Sequence, residues 1–402
     1  MKCVVNLILL SLVQLLHTTL ITTHGIYSLD NVSVPYYYST TRFDVAFAFG
    51  NPPQQIYLHV DLTTKSSWLH SSYFNVSLSH TIQTLSPYEV RIGYFHYTMN
   101  VIKDTLSKCN TYNEHLLNDF YISYLDSSEA PEGASPALSL SRSYDIPQLS
   151  ITEQLYNEHK ITSKQFTFIS TNTTHGNILF GSIYIPPLSY IYKTTSPLLP
   201  PPSDTWSISA LSITINGHTY THPSTNTTNF TLTFTSYDAD MQVPYDFLPF
   251  FTQHILTPLI TNRICTPTPP FICTTALLPS TFPPIYITLP LPHPNRIYLT
   301  KQLLFSNSAP RCSLRMRSTS RSNTFTLGTS FLHAVPTLFN YHAQTITLIH
   351  TAKYAYAYFA VYYIINITNV LLCCAVLYLI YTIYYKLNLT LTHSISLYAV
   401  CA

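Results

Sequence analysis

Between residues 26 and 353 the apolar residues of this 402-residue chain come in short runs set among Pro, Ser, Thr and Asn, and this limits what the chain can build. The runs are Phe43 to Phe49, Ile56 to Val60, Phe166 to Ile169, Ile178 to Phe180, Ile208 to Ile215, Phe230 to Phe234 and Thr345 to Ile349. Many alternate and are rich in β-branched and aromatic side chains, the pattern of strands with one buried face. Only Gln148 to His159 has helical spacing, with Leu149, Leu155 and Tyr156 on one face. An all-β body with few helices follows. The proline-rich stretches Pro186 to Pro202 and Pro267 to Pro294 read as loops or extended segments, and the first is placed to separate two lobes.

Composition removes several classes of function. Charged residues are 9% and the formal net charge is +2, so no basic face exists to neutralise phosphates and no nucleic-acid partner is expected. Aromatics at 14% supply a core that a disordered chain lacks. Eight glycines in 402 residues argue against glycine-rich phosphate loops. The 17 histidines form no HExxH or other metal spacing, there is no paired CxxC and no GxSxG elbow, so neither metal nor cofactor is expected.

The two ends read as membrane-targeting segments. Met1 and Lys2 precede an apolar run from Val4 to Leu20, and residues 1–24 read as a signal peptide. Ala355 to Tyr385 carries no charge and lies between Lys353 and Lys386. Its most apolar part, 361–385, is about 37 Å long as a helix, enough to span a bilayer with tilt. Tyrosines cluster at both ends, where aromatic rings favour the interface. A single-pass type I protein of the secretory pathway or cell surface follows, anchored by a C-terminal helix, with 25–353 lumenal or extracellular and 386–402 a short cytosolic tail. Sequons at Asn31, Asn75, Asn172, Asn226 and Asn229 fit a glycoprotein. The lumenal cysteines are Cys109, Cys265, Cys273 and Cys312, which spacing alone allows to pair in three ways.

A resemblance then becomes specific. Phe47-Ala48-Phe49-Gly50-Asn51-Pro52-Pro53-Gln54-Gln55 is followed by Ile56-Tyr57-Leu58-His59-Val60-Asp61, with Trp68 seven residues later. This resembles the first active-site region of pepsin-like (A1 family) aspartic proteases. Asp145 to Leu149, Phe166 to Phe168, Gly176 to Gly181, Trp206, Phe325 to Leu332 and Leu338 to Asn340 resemble later segments of that family in its own order. The resemblance spans roughly residues 36–352. It implies a bilobal β fold with a cleft between an N-lobe over 36–190 and a C-lobe over 203–352. It also implies a flap tyrosine at Tyr94, a disulfide between Cys273 and Cys312 with Cys265 as rival partner, and substrate-side hydroxyls at Thr64 and Ser236.

Aspartic-protease chemistry needs one carboxylate from each lobe, one ionised and one protonated, around a shared water. Asp61 fills the first position, in Asp61-Leu62-Thr63-Thr64-Lys65 rather than the family's Asp-Thr-Gly-Ser-Ser. In the second lobe the apolar strand Phe230 to Phe234 and the family's proline, here Pro244, put Thr235 where the second aspartate belongs, with Ser236 and Tyr237 after it. Asp238 and Asp240 fall three and five residues too late. Leu138-Ser139-Leu140 stands for leucine-glycine-leucine, and Phe95 and His96 replace the glycines expected after Tyr94. The reading is a membrane-tethered, catalytically degenerate homologue that binds peptide or protein through its cleft or surface. The alternative is an active aspartic endopeptidase.

Overall fold

Strands dominate, and the alternation of the sequence explains their faces. Val32–Ser39 buries Val32, Val34, Tyr36 and Tyr38 on one side, and Arg42–Phe49 buries Phe43, Val45, Phe47 and Phe49. The molecule, a computed structural model, is described for residues 26–351 apart from 31, 40, 93–94, 110–114, 127–134, 143–149, 186–190, 201–203, 223–227, 280–281, 292–295, 307–309 and 320–322. The signal segment 1–24, the uncharged span 361–385, the tail 386–402 and Tyr94 lie outside the described residues. Among the described residues no helix is long and apolar enough to cross a membrane. Except for Ile191, Tyr192 and Thr351, the described residues belong to one compact unit.

In the first half, Arg42–Phe49, Gln54–Asp61, Ala137–Ser139, Trp68–His70, His115–Leu125 and Phe95–Lys108 follow one another around a sheet. Phe95–Lys108 also pairs back onto Arg42–Phe49, with Ala48 opposite Ser107, so this part closes into a barrel and leaves no free edge there. The same sheet continues through Val32–Ser39, His175–Phe180, Gln165–Ser170, Thr337–Asn340 and Thr345–Thr351, drawing strands from both ends of the chain into one layer. The second half has a five-stranded sheet, ordered Ser207–Ala210, Phe230–Phe234, Thr324–Leu327, Met241–Pro244 and Met316–Thr319, and a separate four-stranded sheet.

One arrangement occurs in both halves. Gln54–Asp61 runs parallel to Ala137–Ser139, which is antiparallel to Trp68–His70, which is parallel to His115–Leu125. Phe230–Phe234 runs parallel to Thr324–Leu327, antiparallel to Met241–Pro244, parallel in turn to Met316–Thr319. A parallel pair needs a long crossover and cannot form from a hairpin, so the repeat is a strong topological constraint.

Three expectations change. The helix is shorter than Gln148 to His159: it runs Ile151–Asn157, capped by the Ser150 hydroxyl accepting from the Glu153 N–H. Helices also occur where the sequence has no evident helical spacing, at Phe247–Phe251, Thr257–Thr261, Lys301–Leu304 and Thr329–Ala334, while the extended parts of the proline-rich stretches pair as strands. Ile191–Pro197 is an edge strand beside Thr345–Thr351, where a terminal proline costs no ladder hydrogen bond. Within 267–294, Ile272–Thr274 and Ile285–Thr288 are strands. The third correction concerns sulfur: Cys273 is bridged to Cys265, not to Cys312. The backbone doubles back between Cys265 and Cys273, bringing their Cα atoms to 4.0 Å, and this occupies the Cys273 sulfur. Cys312 lies opposite Cys273 on the neighbouring strand as a buried free thiol, donating to the Cys273 carbonyl at 3.5 Å.

The core is one large cluster that includes Trp206 and a smaller one of Trp68, Met99, Leu125 and Ala137. The Trp206 indole packs against Phe166, Phe339 and Tyr341 at centroid distances of 5.9, 5.0 and 4.9 Å. Trp206→Ala removes a fully buried side chain and a buried hydrogen bond, and is expected to lower stability by about 3–5 kcal/mol, read from the denaturant midpoint.

Candidate functional site

Asp61 ends its strand at the parallel ladder, one step beyond the Val60–Leu138 pair, and its backbone carbonyl accepts from the Leu140 N–H at 2.7 Å. Thr235 stands one step beyond the Phe234–Leu327 pair, and its N–H donates to the Leu327 carbonyl at 3.0 Å. The neighbouring strands agree: Trp68, seven residues after Asp61, lies opposite Ala137, and Gln242, seven after Thr235, lies opposite Thr326. The register therefore makes Asp61 and Thr235 equivalent, and with them Leu62 and Ser236, Thr63 and Tyr237, Thr64 and Asp238.

The Asp61 carboxylate is buried at 5% exposure and surrounded by donors. Its Oδ1 accepts from the Thr63 N–H at 2.7 Å, the Thr63 hydroxyl at 2.7 Å and the Thr64 N–H at 3.1 Å. Its Oδ2 accepts from the Thr64 hydroxyl at 2.5 Å and lies 3.8 Å from His59 Nε2. The residue that replaces the family glycine thus adds a hydroxyl donor rather than open space. Burial by itself raises the Asp61 carboxyl, but His59, Thr64 and Thr63 together outweigh it and hold the group far below the ordinary carboxylate range.

The second side keeps the scaffold without the charge. The Tyr237 N–H donates to Thr235 Oγ1 at 3.2 Å, the counterpart of the Thr63 N–H on Asp61, but the acceptor is now a hydroxyl that does not ionise near neutral pH. The buried Leu62 N–H donates to Ser236 Oγ at 2.9 Å, tying the two motifs together from one direction. The reverse bond has no acceptor, because Leu62 stands where Ser236 has its hydroxyl. Tyr237 is 73% exposed.

Asp238 and Asp240 do not supply the missing carboxylate. Asp240 Oδ2 accepts from Arg317 Nε at 2.5 Å; Asp238 accepts from the Asp240 N–H at 3.1 Å and Gln242 Nε2 at 3.2 Å. The Asp238 carbonyl accepts from the Thr329 N–H at 2.7 Å, and a Cβ on Gly328 would come within 2.1 Å of that carbonyl. The equivalent of Gly328 in the first half is Ser139, whose hydroxyl instead donates to the equivalent carbonyl, that of Thr64.

The motif reading did not single out His59. The alternation of its strand puts it on the Asp61 face, two residues away, which was the available signal. Its Nδ1 donates to the Pro136 carbonyl at 2.8 Å and its Nε2 faces the Asp61 carboxylate at 3.8 Å, an attraction that requires a proton on Nε2 as well. A lone carboxylate with this donor set accepts hydrogen bonds and binds a cation or an N–H. It has no acidic partner with which to share a proton. Because the folded-state value is depressed, the stabilisation it brings is complete above the unfolded value of about 4 and is lost as pH falls below it. Chemical denaturation between about pH 5 and 2 should show wild-type stability falling more steeply than that of Asp61→Asn.

No family model matches the chain, and no curated protein matches it in sequence. Solved structures match in shape. Basic 7S globulin from soybean is similar at TM-score 0.63 and 15% identity, over 81% of this chain and 96% of that one. Conglutin gamma, a basic 7S globulin from lupine seeds, is similar at 0.62 and 14%, over 79% and 94%. An aspartic proteinase from Irpex lacteus is similar at 0.60 and 16%, over 80% and 97%. With both motifs carried on the same crossed parallel ladders, the chain has the pepsin-like aspartic proteinase fold.

Proposed function

We propose that the protein is a non-catalytic, membrane-tethered homologue of aspartic proteinases that binds peptide or protein through its inter-lobe cleft or surface. One observation carries the reading: the position equivalent to Asp61 is Thr235, and the nearby Asp238 and Asp240 are engaged by Gln242 and Arg317. Peptide hydrolysis by this fold needs a shared-proton carboxylate pair, and one carboxylate saturated with donors does not make one. Tyr94 at the flap and the Thr64 and Ser236 hydroxyls belong to the same proposal. A fold shared by a proteinase and by globulins does not decide the activity, so the site must.

The test is incubation with an unfolded, fluorophore-labelled protein from pH 3 to 7. Cleavage is expected at the level of Asp61→Ala throughout. Acid-optimum cleavage that Asp61→Ala abolishes would establish the endopeptidase instead. Peptide capture from a random library by immobilised protein is expected to persist in Asp61→Ala, after circular dichroism has shown that the variant folds.

Tethering rests on the uncharged stretch 361–385 and on exposed sequon asparagines at Asn75, Asn172 and Asn229. The full chain is expected to stay in the membrane fraction at pH 11 and to shift in mobility with endoglycosidase. A chain truncated after residue 353 should be secreted. Carbonate extraction of the full chain would overturn the anchor.

A further inference from the structure

The correction at Cys273 leaves three cysteines in one place with sulfur for only one bridge. Cys273 has a partner on each side. Cys265 is bonded to it across a sequence separation of 8, and Cys312 is its direct antiparallel neighbour at a separation of 39. Opposed residues in such a pair have Cα atoms about 4.5–5.5 Å apart, inside the range a disulfide spans. The Cys312 thiol already points at Cys273, donating to its carbonyl at 3.5 Å. Cys265, Cys273 and Cys312 are all buried, at 6, 1 and 1% exposure, but Cys265 and Cys273 form part of the wall of a cavity of about 520 Å3 and Cys312 does not. Arg263 and Arg311 also line that cavity, and neither makes an ion pair or side-chain hydrogen bond among the described residues.

We propose that this cluster is an internal thiol–disulfide exchange site, in which Cys312 displaces Cys265 from Cys273 and delivers a reactive thiol to the arginine-lined cavity. The Cys312 thiolate attacks Cys273 Sγ; the Cys273–Cys312 bond forms and the Cys265–Cys273 bond breaks. The electron pair leaves on Cys265, which takes up the proton that Cys312 gave to solvent. Nothing is oxidised or reduced overall, so no external oxidant is needed. One feature favours the forward direction: the leaving thiolate emerges beside two guanidinium groups. The product is a Cys265 thiol in the cavity wall, where an electrophile or a second thiol can approach it, in place of a Cys312 thiol that does not line the cavity.

Tryptic mapping separates the two states, because Cys265 and Cys273 share the peptide Ile264 to Arg296 while Cys312 lies in Cys312 to Arg315. The full chain, purified without reductant, is held with iodoacetamide at pH 6, 7 and 8. It is quenched in acid at intervals, unfolded, blocked with heavy iodoacetamide and digested without reduction. The expected result is light label on Cys265 appearing in step with the cross-linked Cys273–Cys312 peptide, both increasing with pH because a thiolate is the attacking species. In Cys312→Ser the internal Cys265–Cys273 loop should persist and Cys265 should stay unlabelled. Light label on Cys312 or on no cysteine, with Cys265–Cys273 unchanged at every time and pH, would overturn the proposal. So would a wild-type chain that holds only Cys273–Cys312 from the start. Both readings come from the wild type, so they stand even where a variant fails to fold.

Discussion

The two halves of the site are held in place by a buried indole. The Trp206 carbonyl accepts from the Phe234 N–H at 2.9 Å, immediately before Thr235, and its Nε1 donates to the Leu140 carbonyl at 2.8 Å. The Leu140 N–H in turn donates to the Asp61 carbonyl. A buried N–H without a partner is costly, so an indole at 0% exposure must find its acceptor, and here that acceptor belongs to the other motif. The aromatic rings around Trp206 fix its plane, and the Leu62 bond to Ser236 adds a second link between motif backbones. This frame positions the backbone of both motifs, and the hydroxyls of Thr63 and Thr64 then fix the Asp61 carboxylate.

That separation explains how the chemistry changes while the architecture stays. Each motif turns its third residue's N–H back onto the side chain of its first, Thr63 onto Asp61 and Tyr237 onto Thr235. A carboxylate and a hydroxyl both accept that bond, so the turn survives the replacement. What does not survive is charge: Asp61 is held ionised by donors on its own side and has no partner across the site. Its neighbour substitutions act in the same sense. Thr63 adds a donor where the family has glycine, and Ser139 satisfies a carbonyl that Gly328 accommodates by lacking a Cβ. The equivalent of Thr64 is Asp238, whose carboxylate accepts from the Asp240 N–H and from Gln242, while Asp240 accepts from Arg317.

Much of this was legible in the sequence because it is local. Period-two alternation named strands such as Arg42–Phe49, Gln54–Asp61 and Phe230–Phe234, though not the long Phe95–Lys108 and His115–Leu125, and a count from a strand to a proline singled out Thr235, since both depend on residues a few positions apart. The helix Ile151–Asn157 was found for the same reason, although its start needed the Ser150 cap, whereas Phe247–Phe251 and Thr257–Thr261 were not. The rest depends on which strands meet. The fate of Asp238 and Asp240 follows from Arg317 some eighty positions away, and Ile191–Pro197 is a strand because Thr345–Thr351 offers it an edge. Cysteine pairing is the plainest case. Composition limited it to a few arrangements, but only the folded backbone decided that Cys273 meets Cys265 through its bond and Cys312 through its neighbouring strand. Pattern along a chain reports which face is buried, whereas contact across it is set by register between distant strands, and register is a property of the assembled sheet.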